Sequence, residues 1–135
     1  MILIVAVDDK NGMTFGGRRQ SMDSRLRERI IKTVGDNKLL MNAYSAKQFT
    51  ENKKITVDED FLAAAGKGEY CFLENSDITP FADRVERVIL YRWNRVYPSS
   101  EKFPIHLFEN RWRLTETSDF TGNSHDKITE EIYVL

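Results

Sequence analysis

The fold is decided by the stretch Met1-Ile-Leu-Ile-Val-Ala-Val-Asp-Asp-Lys-Asn-Gly-Met13. Ile2 to Val7 is an unbroken apolar run rich in β-branched residues, which predicts a strand buried on both faces in a mostly parallel sheet. Residues 8–12 then supply turn chemistry. Because ligands in open α/β sheets lie just beyond the carboxyl ends of such strands, residues 8–24 are the first place to look for a functional site.

Length and composition indicate an ordinary globular chain. The 135 residues are 41% hydrophobic and 30% charged, which predicts one domain over residues 1–135. A net charge of -1 gives no field that favours nucleic acid or an anionic membrane, so we expect neither as a partner. The single cysteine, Cys71, lies in an apolar run and is expected to be a buried, inert thiol. No run approaches the ~20 residues of a membrane helix, and a cytoplasmic location is expected.

The segment after the first strand predicts a loop and then a helix. Residues 14–22 contain two glycines and no apolar period, which is typical of a long loop. Asp23 or Ser24 is expected to cap the following helix, which ends at Gly35. The apolar stripe expected along this helix comprises Leu26, Ile30 and Val34.

The remaining pattern alternates short helices and strands before becoming rich in strands. Strands are predicted at residues 38–41, 55–57, 70–73, 85–93, 111–117 and 128–135. Helices are predicted at residues 43–49, capped by Asn42, and 60–65, capped by Asp58, with a turn or short helix at 76–83. Residues 50–54 are expected to be a polar link and 97–104 a loop. This order predicts an α/β fold with a central, mostly parallel sheet, flanking helices and a C-terminal antiparallel hairpin.

These segments, in this order, resemble dihydrofolate reductase over most of the chain. Ile4-Val-Ala-Val-Asp-Asp-Lys-Asn-Gly12 is similar to the family's first strand and the entry to its mobile substrate loop. Leu39-Leu-Met-Asn-Ala-Tyr-Ser45 is similar to its next strand and helix, and Glu86-Arg-Val-Ile-Leu-Tyr91 to the strand that carries a substrate-side threonine. Phe103-Pro104, Trp112 and Glu131-Ile-Tyr133 resemble its final loop and hairpin. The resemblance implies a dihydrofolate reductase-like fold, shortened between Phe49 and Tyr70.

The resemblance also implies positions for a substrate. Asp23 matches the family's pterin-binding acid, and as a catalytic group it would be a carboxylate whose raised pKa lets it relay a proton. The alternative for Asp23 is a plain helix N-cap. Val5, Ala6 and Tyr91 match substrate-side positions, although Tyr91 replaces the threonine with a much larger group.

The positions that match the family's cofactor site depart from its pattern. In the family an NADPH diphosphate lies on a glycine pair, whereas Glu74-Asn75-Ser76-Asp77 stands here. Two carboxylates, those of Glu74 and Asp77, thus stand where the resemblance implies two phosphate charges. Each contact between a carboxylate and a phosphate at ~4 Å and an effective dielectric constant near 20 would cost up to ~4 kcal/mol. Ala43 replaces a phosphate-binding arginine, and Ser45 keeps a hydroxyl that could contact a phosphate. Arg18 and Arg19 are candidates to bind a phosphate or carboxylate, the alternative being a solvated loop.

Two functions follow from these observations. The first is a small-molecule- or protein-binding module with a degenerate NADPH site and no cofactor. The second is an NADPH-dependent reductase of a pterin-like or other heterocyclic substrate with an altered cofactor site. A homo-oligomer is left open. No metal site is expected, because His106 and His125 lack metal-ligand spacing, and Ser124-His125-Asp126 is typical of a polar turn.

Overall fold

The apolar run at Ile2–Val7 forms the first strand, β1, as predicted. A computed structural model of the chain describes residues 1–50 and 54–135. The following elements are β2 (Gly12–Phe15), β3 (Arg18–Arg19), α1 (Ser24–Val34), β4 (Leu39–Met41), α2 (Ala43–Ala46), β5 (Thr56–Val57), α3 (Phe61–Ala64), β6 (Tyr70–Leu73), β7 (Arg87–Arg92), β8 (Glu101–Lys102), β9 (Arg113–Phe120) and β10 (Ile128–Val134). Two 3₁₀ segments cover Thr79–Arg84 and Ile105–Leu107.

The main sheet has seven strands in the order β5-β4-β6-β1-β7-β10-β9. β1 lies between β6 and β7 and is parallel to both, which satisfies its backbone on each side. β10 runs antiparallel to β7 and to β9, so the last two strands form a hairpin at one edge. The predicted fold class, a mostly parallel sheet that ends in an antiparallel hairpin, is confirmed.

The side chains of β1 alternate between two apolar layers, one on each face of the sheet. Ile2 and Ile4 pack with the stripe of α1, whose residues Leu26, Ile30 and Val34 are all buried. Leu3, Val5 and Val7 pack on the opposite face with Phe61 and Phe108. α1 begins at the Asp23 cap and ends at Gly35, whose φ of 56° and ψ of -127° lie in a region open to glycine but outside the left-handed helical conformation.

The predicted loop at residues 14–22 is partly wrong. Its first half completes β2, which pairs with β3 across a turn at Gly16 and Gly17 and with β8 on its other side. β8 lies inside the predicted loop 97–104, so that prediction also fails locally. Both errors have one cause: these short strands carry no apolar period and depend on each other for pairing.

The predicted helix at 43–49 is shorter than expected, because α2 ends at Ala46. The N–H groups of Gln48 and Phe49 bond to carbonyls three residues back, at Ser45 and Ala46, so the backbone continues as tight turns. Asn42 caps α2 as predicted. The Asp58 carboxylate accepts from the N–H of Asp60 at 2.8 Å, as predicted, whereas Asp60, the residue directly before α3, makes no side-chain cap bond. Residues 51–53 of the predicted link lie outside the described residues.

Two observations bear on the expectations from composition. Cys71 is fully buried, and burial raises the pKa of its thiol to about 12. Within residues 1–50 and 54–135, no helix is both long and apolar enough to cross a bilayer.

Candidate functional site

The candidate site lies where β1, β4 and β6 end, since parallel neighbours bring their carboxyl ends to one edge of the sheet. At this edge, the segments that follow β4 and β6 lie opposite the β2–β3 hairpin. Between them is a crevice with a volume of only about 20 Å³. The side chains that line it include Ala6, Gln20, Ser21, Gln48, Phe72 and Trp93.

An ion pair between a buried carboxylate and a half-buried guanidinium occupies one side of this edge. Glu74 follows β6 directly and has only 9% of its surface exposed. Arg19 of β3 binds it through two bonds, from Nε to Oε2 and from Nη2 to Oε1, each 3.0 Å long. The hydroxyl of Ser45 donates to the same Oε1 at 2.8 Å. The charge of Glu74 is therefore paired from within the chain, a partner that the sequence did not reveal.

Tyr44 of α2 fixes the guanidinium of Arg19 in this position. The guanidinium lies 4.3 Å from the centre of the Tyr44 ring, and its Nη2 donates to the Tyr44 carbonyl at 3.1 Å. The Tyr44 hydroxyl in turn accepts from the backbone N–H of Arg19 at 2.9 Å. Arg18, the neighbouring residue in β3, has an exposed side chain. Of the two arginines proposed from the sequence, only Arg19 is thus built into the edge of the sheet.

Amide side chains join the loop after β6 to the start of α2. Asn42 accepts from the N–H of Ser45 at 3.0 Å and donates to Asn75 Oδ1 at 2.8 Å. Asn75 Nδ2 donates to the carbonyl of Gly17 at 3.4 Å. These bonds connect the loop after β6 to the start of α2 and to the turn between β2 and β3.

Asp8, directly after β1, joins neighbouring segments through its carboxylate. Its carboxylate accepts from the N–H groups of Lys10, Gly12 and Tyr97, and from the amide of Gln20. Burial alone would raise the pKa of Asp8, but the donors from Gly12, Tyr97 and Lys10 outweigh burial and lower it. Asp8 is therefore a fixed anion that holds the loop at residues 95–98 against the first turn.

Asp23 is buried at the start of α1 and is saturated with hydrogen-bond donors. It accepts from the N–H groups of Arg25 and Leu26, as an N-cap does, and also from those of Asn123 and Ser124. Burial opposes ionisation, yet these donors and His125 lower the pKa of Asp23 well below its ordinary value. The expectation of a raised pKa for Asp23 is wrong, because Asn123, Ser124 and His125 add hydrogen bonds to those that a helix cap receives.

His125 is the partner that the sequence did not reveal. Its Nδ1 lies 3.0 Å from Asp23 Oδ2, while its Nε2 lies 2.9 Å from the Tyr97 hydroxyl and 3.2 Å from Ser21 Oγ. Its ring stacks on Trp93 with centroids 4.4 Å apart. With 3% of its surface exposed, it is not the polar turn residue expected from Ser124-His125-Asp126.

Gly122 permits this close approach of the last loop to α1. A Cβ at this position would lie 2.6 Å from Asp23 Oδ2 and 3.0 Å from the carbonyl oxygen of His125. Contacts this short are not tolerated, so the loop needs glycine here.

Comparison of the sequence with protein-family models and with curated proteins found no match. Comparison of the structure with solved structures did find similar chains. One is a dihydrofolate reductase from Enterococcus faecalis complexed with NADP(H) and RAB-propyl, to which this chain is 12% identical with a TM-score of 0.69. The superposition covers 98% of this chain and 94% of that one. The chain has a dihydrofolate reductase-like fold.

The substrate-side residues predicted from the resemblance fall into different environments of this dihydrofolate reductase-like fold. Ala6 lines the small crevice, whereas Val5 points into the opposite apolar layer. Tyr91 has no exposed surface, and its hydroxyl donates to Glu130 Oε2 at 2.8 Å. Burial, followed by the nearby Glu130 carboxylate, raises the pKa of Tyr91.

Arg29 completes the environment of Tyr91. Its Nε and Nη2 donate to Glu130 at 2.8 and 3.1 Å and so join α1 to β10. Burial works to raise the pKa of Glu130, but the bonds from Arg29 and Tyr91 lower it. At the position of the expected substrate-side threonine, the fold therefore carries an internal polar link between a helix and the sheet.

A larger recess opens beside the ion pair in this fold. Its volume is about 360 Å³, and it lies between β2, β8 and the turn after β6. Met13, Ile78 and Pro104 supply apolar surface, while Asp77, Glu101 and Lys102 supply charges of both signs. Within the part of the chain that the structure describes, no group of three side chains is arranged to hold a metal ion.

Proposed function

We propose that this chain is a binding module built on the dihydrofolate reductase-like fold, without NADPH chemistry. The observation that supports the proposal is the bond between Arg19 and Glu74. It places a carboxylate, already paired and buried, at the position where the resemblance implies a diphosphate. The cofactor position is thus filled by the chain itself.

The residues at this position do not fit a diphosphate. The side chains of Glu74 and Asn75 take the space that a glycine pair would leave open, and Asn75 is bonded to Asn42. Of the three groups that the sequence predicts as phosphate contacts, Arg19 and the Ser45 hydroxyl are bonded to Glu74, whereas Arg18 is exposed. Freeing Arg19 and Ser45 would break charge-assisted bonds worth about 1.5–3 kcal/mol each.

The 360 Å³ recess is the place where we propose that a ligand binds. Its volume lies within the range of about 300–1,000 Å³ that small-molecule sites occupy. An apolar floor at Met13 and Ile78 with charges at Asp77 and Lys102 suits a small molecule or a short protein segment that carries both apolar and polar groups. A second copy of the chain remains a further candidate partner.

Titration with NADPH and NADP⁺ tests the absence of cofactor binding. Nicotinamide fluorescence and thermal shift should detect no saturable binding below about 1 mM, which corresponds to a binding free energy weaker than about -4 kcal/mol. A micromolar Kd for the wild-type protein would contradict the proposal.

A double variant, Glu74→Gly with Asn75→Gly, provides the complementary test. It restores a glycine pair and frees Arg19, so NADPH should bind it more tightly than the wild type. Glu109→Gly is the matched control, since Glu109 is an exposed glutamate in the segment before β9. Equal NADPH affinity in the double variant and the control would show that the Arg19–Glu74 pair is not the obstacle.

An NADPH-dependent reductase is the second candidate. The observation in its favour is that the structurally similar reductase named above was complexed with NADP(H). The lowered pKa of Asp23 weighs against it, because a carboxylate that stays ionised does not deliver a proton near neutral pH. NADPH oxidation in the presence of a panel of pterin-like and other heterocyclic substrates, lost in Asp23→Asn, would favour the reductase over the binding module.

A further inference from the structure

An aligned set of three side chains lies at the crevice and is not explained by the proposed binding function. The carboxylate of Asp23 is 3.0 Å from His125 Nδ1, and Ser21 Oγ is 3.2 Å from Nε2 on the other side of the ring. Asp23 and His125 are each 3% exposed, whereas Ser21 is half-buried and lines the crevice. A hydroxyl, an imidazole and a carboxylate in hydrogen-bond contact form the arrangement that activates a serine nucleophile.

The surroundings of His125 hold its ring in the orientation that this chemistry requires. With a proton on Nδ1 alone, the ring donates to Asp23 Oδ2 and turns the lone pair of Nε2 towards Ser21. Trp93 stacks on the ring at an angle of 24° and holds its plane. The Tyr97 hydroxyl, 2.9 Å from Nε2, competes with Ser21 for the same lone pair.

The crevice also contains unpaired polar atoms. Gln48 is 9% exposed, and among the described residues its Nε2 has no hydrogen-bond partner. Gln20 Oε1 is unpaired in the same way, and both side chains line the crevice together with Ser21. Buried polar groups are normally satisfied, so a free donor in the same crevice as a serine hydroxyl points to a ligand oxygen. Such a donor stabilises the negative oxygen that forms when a carbonyl is attacked.

We propose that Ser21 is the nucleophile of an acyl-transfer site that takes small carboxylic esters. Ser21 Oγ attacks the ester carbonyl carbon while its proton passes to His125 Nε2. The bond from carbon to the leaving alkoxide then breaks, and His125 returns the proton to that oxygen. A water molecule cleaves the resulting acyl-serine by the same route, which yields the carboxylic acid and regenerates Ser21.

The size of the crevice limits the substrate. Its volume of about 20 Å³ is roughly the space of one water molecule, so even an acetyl group enters only if a lining side chain moves. Movement of Gln20 would break the bonds from its Nε2 to Asp8 Oδ2 and to the Pro98 carbonyl, which limits the substrate to small acyl groups. This inference does not depend on the Arg19–Glu74 pair, so it can fail while the proposed binding function stands, and the reverse also holds.

Acetylation by p-nitrophenyl acetate tests the proposal on the intact chain. We expect release of p-nitrophenolate together with an acetyl group that peptide mass spectrometry locates on Ser21. Methanesulfonyl fluoride should modify the same residue and block acetylation. Among the described residues, Ser24 is a nearby serine that is not in contact with His125, so Ser24→Ala should react like the wild type.

Variants of the base distinguish activation from simple exposure. His125→Gln should slow acetylation of Ser21 by about 100-fold or more, the usual contribution of a general base. Tyr97→Phe preserves the aromatic ring and removes the competing hydroxyl, so the rate should rise severalfold even if His125→Gln folds poorly. Acetyl groups only on lysines or the N-terminus, or a Ser21 rate unchanged in both variants, would overturn the proposal.

Discussion

At the scale of single residues, Asp23 has more than one structural task. It caps α1 and also anchors the loop that carries Asn123 and Ser124, about a hundred positions further along the chain. Each donor contributes because the carboxylate is buried and ionised, a state in which unpaired charge is costly. The residue therefore couples the first helix to the last hairpin.

Asp23→Asn should lower the free energy of unfolding by about 2–4 kcal/mol, because an amide cannot accept the same set of bonds. Urea denaturation monitored by circular dichroism measures the change. Asp36→Asn, at an exposed aspartate after the same helix, is the matched control and should stay within about 0.5 kcal/mol of the wild type. Equal stability of the two variants would show that Asp23 does not anchor the hairpin.

At the scale of elements, the β2–β3 hairpin is the part of the fold most dependent on distant contacts. β3 has two residues and, within residues 1–50 and 54–135, pairs with β2 alone, so backbone bonds hold it weakly. Arg19 ties it to Glu74, fifty-five positions away. The ion pair therefore gives the hairpin a fixed attachment to the main sheet.

A double-mutant cycle with Arg19→Ala and Glu74→Gln should give a coupling energy of about 1–3 kcal/mol, as expected for a half-buried, bidentate pair. Arg18→Ala is the control, since Arg18 is the exposed neighbour in the same strand. Amide exchange at residues 16–19 should accelerate in Arg19→Ala and remain unchanged in Arg18→Ala. A coupling energy near zero would mean that the hairpin is held by other contacts.

The elements that the sequence predicted well are those whose conformation is determined by residues close to one another in the chain. The apolar run at Ile2–Val7 and the capped, striped segment at Ser24–Val34 are each determined by neighbouring residues. β3 and β8 were missed because two polar residues have no pattern of their own and become strands only by pairing with β2. The end of α2 was missed because a change to i-3 bonding leaves no signature in composition.

The candidate site was predicted less completely, because its contacts join residues that are far apart in the sequence. Asp23 was recognisable as the residue before a helix, but His125, which lies 102 positions away, was not recognisable as its partner. Glu74 was correctly placed after a strand, yet its charge was judged without Arg19. Apolar packing places these residues together, and no spacing in the sequence encodes that contact.

At the scale of the whole molecule, buried carboxylates join segments that are far apart in the chain. Asp8 holds the loop at residues 95–98, Asp23 holds the last hairpin, and Glu130 joins β10 to Arg29 of α1. All three have a pKa lowered by their hydrogen-bond donors, although burial opposes the shift in each case. Their ionised forms are therefore more favourable in the folded chain than in the unfolded one.

This linkage predicts loss of stability in acid. A group whose folded pKa lies below its unfolded pKa contributes stability above the unfolded value, and that contribution is lost as the pH falls. The ordinary pKa values are 3.8 for aspartate and 4.5 for glutamate, so the urea midpoint should be nearly constant from pH 7 to about pH 5 and decrease at lower pH.

Glu130→Gln should be less stable than the wild type at pH 7 and show a shallower decline between pH 5 and pH 3, since it lacks one of the titrating groups. The net charge at pH 7 is only -1, which makes general self-repulsion a minor contribution there. A midpoint that did not change down to pH 3 would mean that these carboxylates are no better stabilised in the folded chain than in water.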